Sequence, residues 1–436
     1  MSAPNILATC LLLFATLPAL ADWPDFRGPW ANGHATAPGD AKPTGLPVTW
    51  SEKNNVKWKT AIPHRGWSTP VVLGKQVWIT TATEEGHDFF AICVDADTGK
   101  ILYNEKLFHS ASPEPLGNSV NCYAAPSAVI EPGRVYLHFG SYGTACLDTT
   151  TFKVLWKRTG LPCRHFRGPG SSPILHRDLL ILTMDGIDVQ YLAALDKRTG
   201  RTMWKTDRTA DWNDLNADGQ PAGEGDFRKA YTTPIIVEVN GRTQMISIGS
   251  KAMYGYDPVT GRELWKIGTG GYSGAARPVF GHGLAFLGTG FGKTEFLALR
   301  PNGEGNLSES HVAWHTTRGA PKMPSPLLVD NLLYLLADNG IVRCVEATTG
   351  NEVYQERIGG EFCASLLYAD GRIYAFDREG KATVLKAGRK FEVLATNRLD
   401  DGFMASPAVS GKALFLRTKT HLYRIEADIT TPAGGG

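Results

Sequence analysis

The chain lacks the usual marks of an enzyme. No Gly-x-Ser-x-Gly segment occurs, so there is no strained nucleophile turn of the hydrolase kind. No two cysteines are adjacent, and no Cys/His group has zinc-ligand spacing. His311 and His315 stand four apart, but on an extended strand that separation is ~13 Å, too far to share one ion. Neither sign of charge dominates: 45 basic residues against 43 acidic ones leave +2. That excludes the electrostatic footprint of a nucleic-acid binder. Long apolar runs are missing too; the run over residues 6–17 is too short to cross a bilayer, and no membrane span is expected. Gly288-Thr289-Gly290-Phe291-Gly292 has no helix behind it and reads as a strand-to-strand turn rather than a phosphate cradle.

What the chain has is a repeat. Residues 171–206 hold short apolar runs separated by Gly and Asp turns, which read as four antiparallel strands. Each copy opens on an anchor, a small or hydroxyl residue followed by proline: Thr69-Pro70, Ala125-Pro126, Ser172-Pro173, Thr233-Pro234, Arg277-Pro278, Ser325-Pro326, Ser365-Leu366 and Ser406-Pro407. The steps of 40 to 61 residues suit four-stranded blades. A second landmark, an acid followed by a glycine turn, recurs at Asp95–Gly99, Asp196–Gly200, Asp257–Gly261 and Glu346–Gly350, and is degraded at Asp148. An outer-strand aromatic follows each time: Tyr103, Trp156, Trp204, Trp265, Trp314 and Tyr354. The last copy ends after three strands, and Val56-Lys57-Trp58-Lys59 has the pattern of the missing fourth. The expected fold is therefore all-β, an eight-bladed propeller closed by an N-terminal strand.

Around this ring, residues 1–21 read as an export signal cleaved before Asp22, with Ala19-Leu20-Ala21 as the small-x-small site, although no Lys or Arg precedes the apolar run. Residues 22–50, rich in Pro, Gly and Ala, read as an irregular arm, 51–429 as one propeller, and 430–436 as a frayed tail. The expected location is the periplasm or the exterior, and the expected state a monomer. Of the six cysteines left after cleavage, Cys93, Cys146 and Cys344 take the third-strand place that other copies give to Ala194, Gly255 and Ala298, which points to packing. Cys93, Cys146 and Cys344 lie too far apart to pair with one another, whereas Cys122 and Cys163 precede adjacent first strands and are a candidate bridge.

The segment Trp23-Pro24-Asp25-Phe26-Arg27-Gly28-Pro29, with Gly225-Asp226-Phe227-Arg228-Lys229-Ala230, Arg277-Pro278-Val279-Phe280-Gly281-His282-Gly283 and Thr420-His421-Leu422-Tyr423, resembles the quinoprotein-type propellers with pyrroloquinoline quinone (PQQ)-like repeats. The resemblance spans the mature chain and is similar above all to secreted bacterial members. It implies the propeller fold but not one activity, since the family includes dehydrogenases, an outer-membrane assembly scaffold and proteins of unknown role. Methanol-dehydrogenase-like members hold PQQ between a Trp and a disulfide of adjacent cysteines, beside calcium. This chain has no such pair, so PQQ is not expected.

Loops entering first strands gather at one mouth of a propeller channel. Here they bring His64, Arg65, Trp67, Tyr123, Arg164, His165, Arg167, Arg228, Lys229, Arg318, Lys322, Glu361 and Asp401, a set of bases and aromatics with an acidic sector. Such a mouth suits an anionic or sugar-like small molecule, a glycan or a protein segment. Asp214-x-Asn216-x-Asp218-Gly219 has the first half of a calcium loop, with Gly225 where the closing Glu would stand. No assembled catalytic group is visible. The sequence therefore points to a binding or scaffold propeller, with a PQQ/calcium-dependent dehydrogenase of a sugar or alcohol and an envelope protein-assembly scaffold as alternatives.

Overall fold

The computed structural model describes residues 22–37, 39 and 42–427; the expected export signal and tail lie outside these residues. Eight antiparallel sheets follow one another around an axis. Blade 3 shows the plan: Ile174–His176 innermost, then Leu179–Asp185, Gln190–Asp196 and Thr202–Asp207 outermost. The second strand is buried throughout and the outermost alternates. Middle strands are covered on both faces by neighbouring blades, so they read as continuous apolar runs. Blade 8 consists of Ala408–Ser410, Ala413–Arg417 and His421–Ile425, with Val56–Ala61 pairing antiparallel onto the last. Blade 4 carries an additional short strand, Gly305–Asn306, lying parallel against Glu263–Gly268.

The repeated small and aromatic residues turn out to be cross-strand partners. Cys93 lies opposite Tyr103, Cys146 opposite Trp156, Ala194 opposite Trp204, Gly255 opposite Trp265 and Cys344 opposite Tyr354. A β-carbon at Gly255 would meet the Trp265 ring at 2.1 Å. Small size at this place makes room for the ring, and the pairing slips by one residue immediately after it.

The glycine of the landmark turn answers to the preceding blade. Gly200 has φ +72°, and a β-carbon there would meet Trp156 at 2.7 Å. The Trp156 indole N–H donates to Lys197 O in the same turn. Trp58 and Trp314 make the same bond to Ala96 and Ala347. Each landmark is thus one half of a blade-to-blade contact. The Asp148 turn keeps this geometry: its carboxylate accepts from Thr150 N and Thr151 N as Asp196 does from Arg198 N and Thr199 N. Phe152 takes the positive φ there, its ring stacked on Tyr103 at 5.5 Å. What looked degraded in sequence is an intact turn with an aromatic substituted for glycine.

The anchors form a belt around the channel. Thr69 N donates to Ser127 Oγ, Ser127 N to Ser172 Oγ and Ser172 N to Thr233 Oγ1, each at 2.9 Å. Arg277 N donates to Ser325 Oγ, Ser325 N to Ser365 Oγ and Ser365 N to Ser406 Oγ at 2.9 to 3.0 Å. The blade 2 anchor is therefore Ser127-Ala128, not Ala125-Pro126. Its first strand begins at Val129, two residues after Ser127, as that of blade 3 begins two after Ser172. Two junctions use arginine instead: Arg277 reaches back to Pro234 O, and Arg417 closes blade 8 on Ser68 and Thr80 O.

The six cysteines of the described residues are unbridged, and all but Cys363 are buried. Cys122 and Cys163, the candidate pair, stand as separate thiols.

Candidate functional site

The part of the arm from Trp23 to Ala35 is tied to blades on different sides of the channel. Trp23 exchanges backbone hydrogen bonds with Val72 of blade 1, Pro24 O accepts from Ile130 N of blade 2, and Gly33 O and Ala35 N pair with Tyr368 of blade 7. Between these points Phe26 lines the cavity at the channel. Asp25 and the Phe26 carbonyl are held by the Arg277 guanidinium, which is almost wholly buried.

The channel holds a cavity of about 660 Å³, the size of a small-molecule site. Its wall is set by a rule: the residue two places before each belt anchor faces the cavity. Small residues fill the rule in blades 2, 3 and 5, as Ala125, Gly170 and Ala275. Aromatics fill it in blades 1 and 4, as Trp67 and Tyr231. Sulfur fills it in blades 6, 7 and 8, as Met323, Cys363 and Met404. The Trp67 indole N–H and the Tyr231 hydroxyl are buried without a protein partner.

Of the mouth residues expected from sequence, the structure brings Trp67, Arg167, Lys322 and Glu361 into the cavity wall. Arg167 grips Asp226 through Nε and Nη2 at 3.2 Å each. Lys229, fully buried behind the wall, contacts the same carboxylate, and both cations lie over the Phe166 ring at about 5 Å. Burial, and after it the neighbouring Arg167 charge, push the Lys229 ammonium down to about 7. Glu361 pairs with Arg378 at 2.6 Å, and Lys322 lies over Phe291 at 4.8 Å.

The other expected residues are engaged elsewhere. Arg164 forms a fork with Glu114, and Tyr123 donates to Glu114 O. His165 is buried beside Cys163 Sγ at 3.7 Å, its imidazole pushed down to about 4 by desolvation. His64 stacks on Phe90, Arg65 lies over Trp67, Arg318 is exposed, and Asp401 accepts from Thr420. In the loop read for calcium, Asp214 forms a two-point pair with Arg228, whose head is thereby drawn from the mouth. Asn216 Oδ1 accepts from Asp218 N and Gln220 N as in an ordinary turn.

Sequence reasoning missed Phe26, Asp226, Tyr231, Asp338 and Arg378. Asp338 lines the cavity and accepts from Met323 N, and burial raises its carboxyl. The spacing from the anchors was the available signal for Tyr231 and the three sulfur residues.

A family model described as outer membrane protein assembly factor BamB matches residues 188–428. The chain belongs to this family. No curated protein matches the chain. Among solved structures, the family's fold is seen in BamB from Moraxella catarrhalis, with 10% identity and a TM-score of 0.58 over 85% of this chain and 99% of that one. The quinohemoprotein alcohol dehydrogenase of Comamonas testosteroni has 12% identity and a TM-score of 0.65, covering 95% and 82%. A europium-containing methanol dehydrogenase has 12% identity and a TM-score of 0.64, covering 92% and 89%. At such identities the likeness is one of fold.

The residues present do not fit the PQQ and calcium that the resemblance implies. Trp67 faces a channel with a single cysteine, Cys363, and the three cavity carboxylates are engaged with Arg167 and Lys229, with Arg378, and with the Met323 amide. Among the described residues no three His, Cys, Asp or Glu side chains gather as metal ligands.

Proposed function

We propose that the protein is a secreted or periplasmic binding propeller whose channel takes a small anionic ligand with a flat face, such as an acidic sugar. The observation that carries this reading is an uneven charge count at the wall. When Lys229 is protonated, it and Arg167 share one carboxylate, Asp226, which leaves one positive charge near the partnerless Tyr231 hydroxyl. A carboxylate entering there would meet the Arg167 Nη1 edge that Asp226 leaves free, near the Tyr231 hydroxyl, with Trp67 in the same wall. Calorimetric titration with oligogalacturonate and with a neutral maltooligosaccharide tests the idea. Binding of the acidic sugar alone, lost in Arg167→Gln, supports it; equal or absent binding of both overturns it.

A second reading is an envelope assembly scaffold, as the family description suggests. It is favoured by Leu102, Leu155 and Met203, exposed by 40%, 44% and 50% at matching places on the outermost strands of blades 1 to 3. Such a stripe along open sheet edges suits a protein partner. Envelope cross-linking, compared between the protein and a variant with all three changed to Thr, tests it: a partner lost with the stripe favours the scaffold, and none in either opposes it.

A further inference from the structure

Three consecutive blades place sulfur at the same point of the channel wall. Met323, Cys363 and Met404 each stand two residues before a belt anchor, and all three face the cavity. The Cys363 thiol donates to Met323 Sδ at 3.7 Å. Two sulfurs each ~2.3 Å from a shared ion in trigonal geometry are about 4 Å apart, so this pair already has the separation that chelation needs. The step to Met404 repeats the step just made: Ser325 N bonds Ser365 Oγ at 3.0 Å, and Ser365 N bonds Ser406 Oγ at 2.9 Å.

Abundance does not account for the cluster, since the chain has only seven methionines and Cys363 is the one described cysteine not fully buried. A thiolate with two thioethers is a soft donor set, which selects copper(I) over zinc or calcium. Burial above all pushes the Cys363 thiol up to about 12, with Arg378, Asp338, Glu361 and Lys419 also acting on it, so copper(I) must displace a firmly held proton.

We propose that Met323, Cys363 and Met404 form a three-sulfur site for copper(I) in the channel wall. On binding, the thiol proton passes to solvent and no atom changes oxidation state. The site rests on the reading of the channel as a pocket open to solutes, but not on the acidic sugar.

The test is anaerobic competition for copper(I) between the purified protein and a chromogenic copper(I) chelator, followed by X-ray absorption at the copper edge. One equivalent is expected to stay with the protein, in a shell of three sulfurs at roughly 2.3 Å. Cys363→Ser should weaken binding by at least about 100-fold, and Met323→Leu or Met404→Leu by about tenfold each. Met245→Leu, in the buried second strand of blade 4, should leave binding unchanged. Surrender of all copper by the unaltered protein, or undiminished affinity in Cys363→Ser, overturns the site. Sugar titration of the same samples separates the two ideas: copper lost with sugar retained removes only the sulfur site, and failure of both removes the open channel.

Discussion

Asp25 and Arg277 lie 252 residues apart in the chain and meet as an ion pair between arm and ring, with two guanidinium nitrogens at 3.2 and 3.3 Å from the two carboxylate oxygens. Arg277 is also the anchor that supplies no hydroxyl to the belt at the blade 4 to 5 junction. The substitution has a use: the residue that gives up a belt bond holds the segment that brings Phe26 to the cavity. Asp25→Asn would leave a buried guanidinium with carbonyl partners only, a change that costs ~3–5 kcal/mol when such a charge is uncompensated. Denaturant unfolding should show that loss, and limited proteolysis should cut the arm near Phe26. An arm equally resistant in the variant would show that Asp25 does not hold it.

The belt makes a second expectation. Ser365 Oγ accepts from Ser325 N and donates to Ser325 Oγ. Ser365→Ala leaves a buried amide unsatisfied, so a loss of ~1–3 kcal/mol is expected. Its counterpart Ser308→Ala, exposed and outside the belt, should be neutral; equal effects in thermal melts would argue against the belt as a source of stability.

Acid should weaken the fold through two histidines. Desolvation pushes His165 down to about 4 and His138 to about 3. Between these values and the ordinary value near 6.5, the unfolded chain binds protons that the folded one refuses, so stability falls as pH drops through that window. His165 alone contributes a loss of ~3 kcal/mol by pH 4. Unfolding free energy measured from pH 7 to 4 should therefore slope downward toward acid, and His165→Asn should flatten the slope by about one proton. An unchanged slope would mean His165 is protonated in the folded state.

Lys229 decides whether the wall's surplus charge matters. Lys229→Met keeps the length of the buried side chain and leaves Arg167 and Asp226 as a neutral pair. Affinity for oligogalacturonate should then fall by roughly tenfold, the effect of losing about 1.4 kcal/mol, with the larger part of the loss at low salt. Unaltered affinity at low ionic strength would place the ligand's carboxylate elsewhere.

The ring was legible because its period rests on side chains that meet across blades. Trp156 and Gly200 recur together since each needs the other's shape, and hydroxyl-proline anchors recur since the belt needs the hydroxyl. Pro126 misled only because a proline two places early imitates the anchor. The mouth was less legible. Arg164, Arg228 and Lys229 advertise positive charge, but Glu114 reaches Arg164 from another loop, and the folding of one insertion brings Asp214 to Arg228 and Asp226 to Lys229. The arm was legible as irregular chain but its place at the channel was not, because residues 22–50 have neither strand nor helix periodicity and the part from Trp23 to Ala35 takes its path from Val72, Arg277 and Tyr368.

Sharing one sheet between Val56–Ala61 and His421–Ile425 also orders events in time. The first strand to be synthesised has no partner until the last has been made, a delay of roughly 20–70 s at ordinary translation rates. Until then the outer edge of blade 8 does not exist and the ring is an open arc. A chain exported before folding would meet this interval outside the cytosol, where closure would be the final step of maturation.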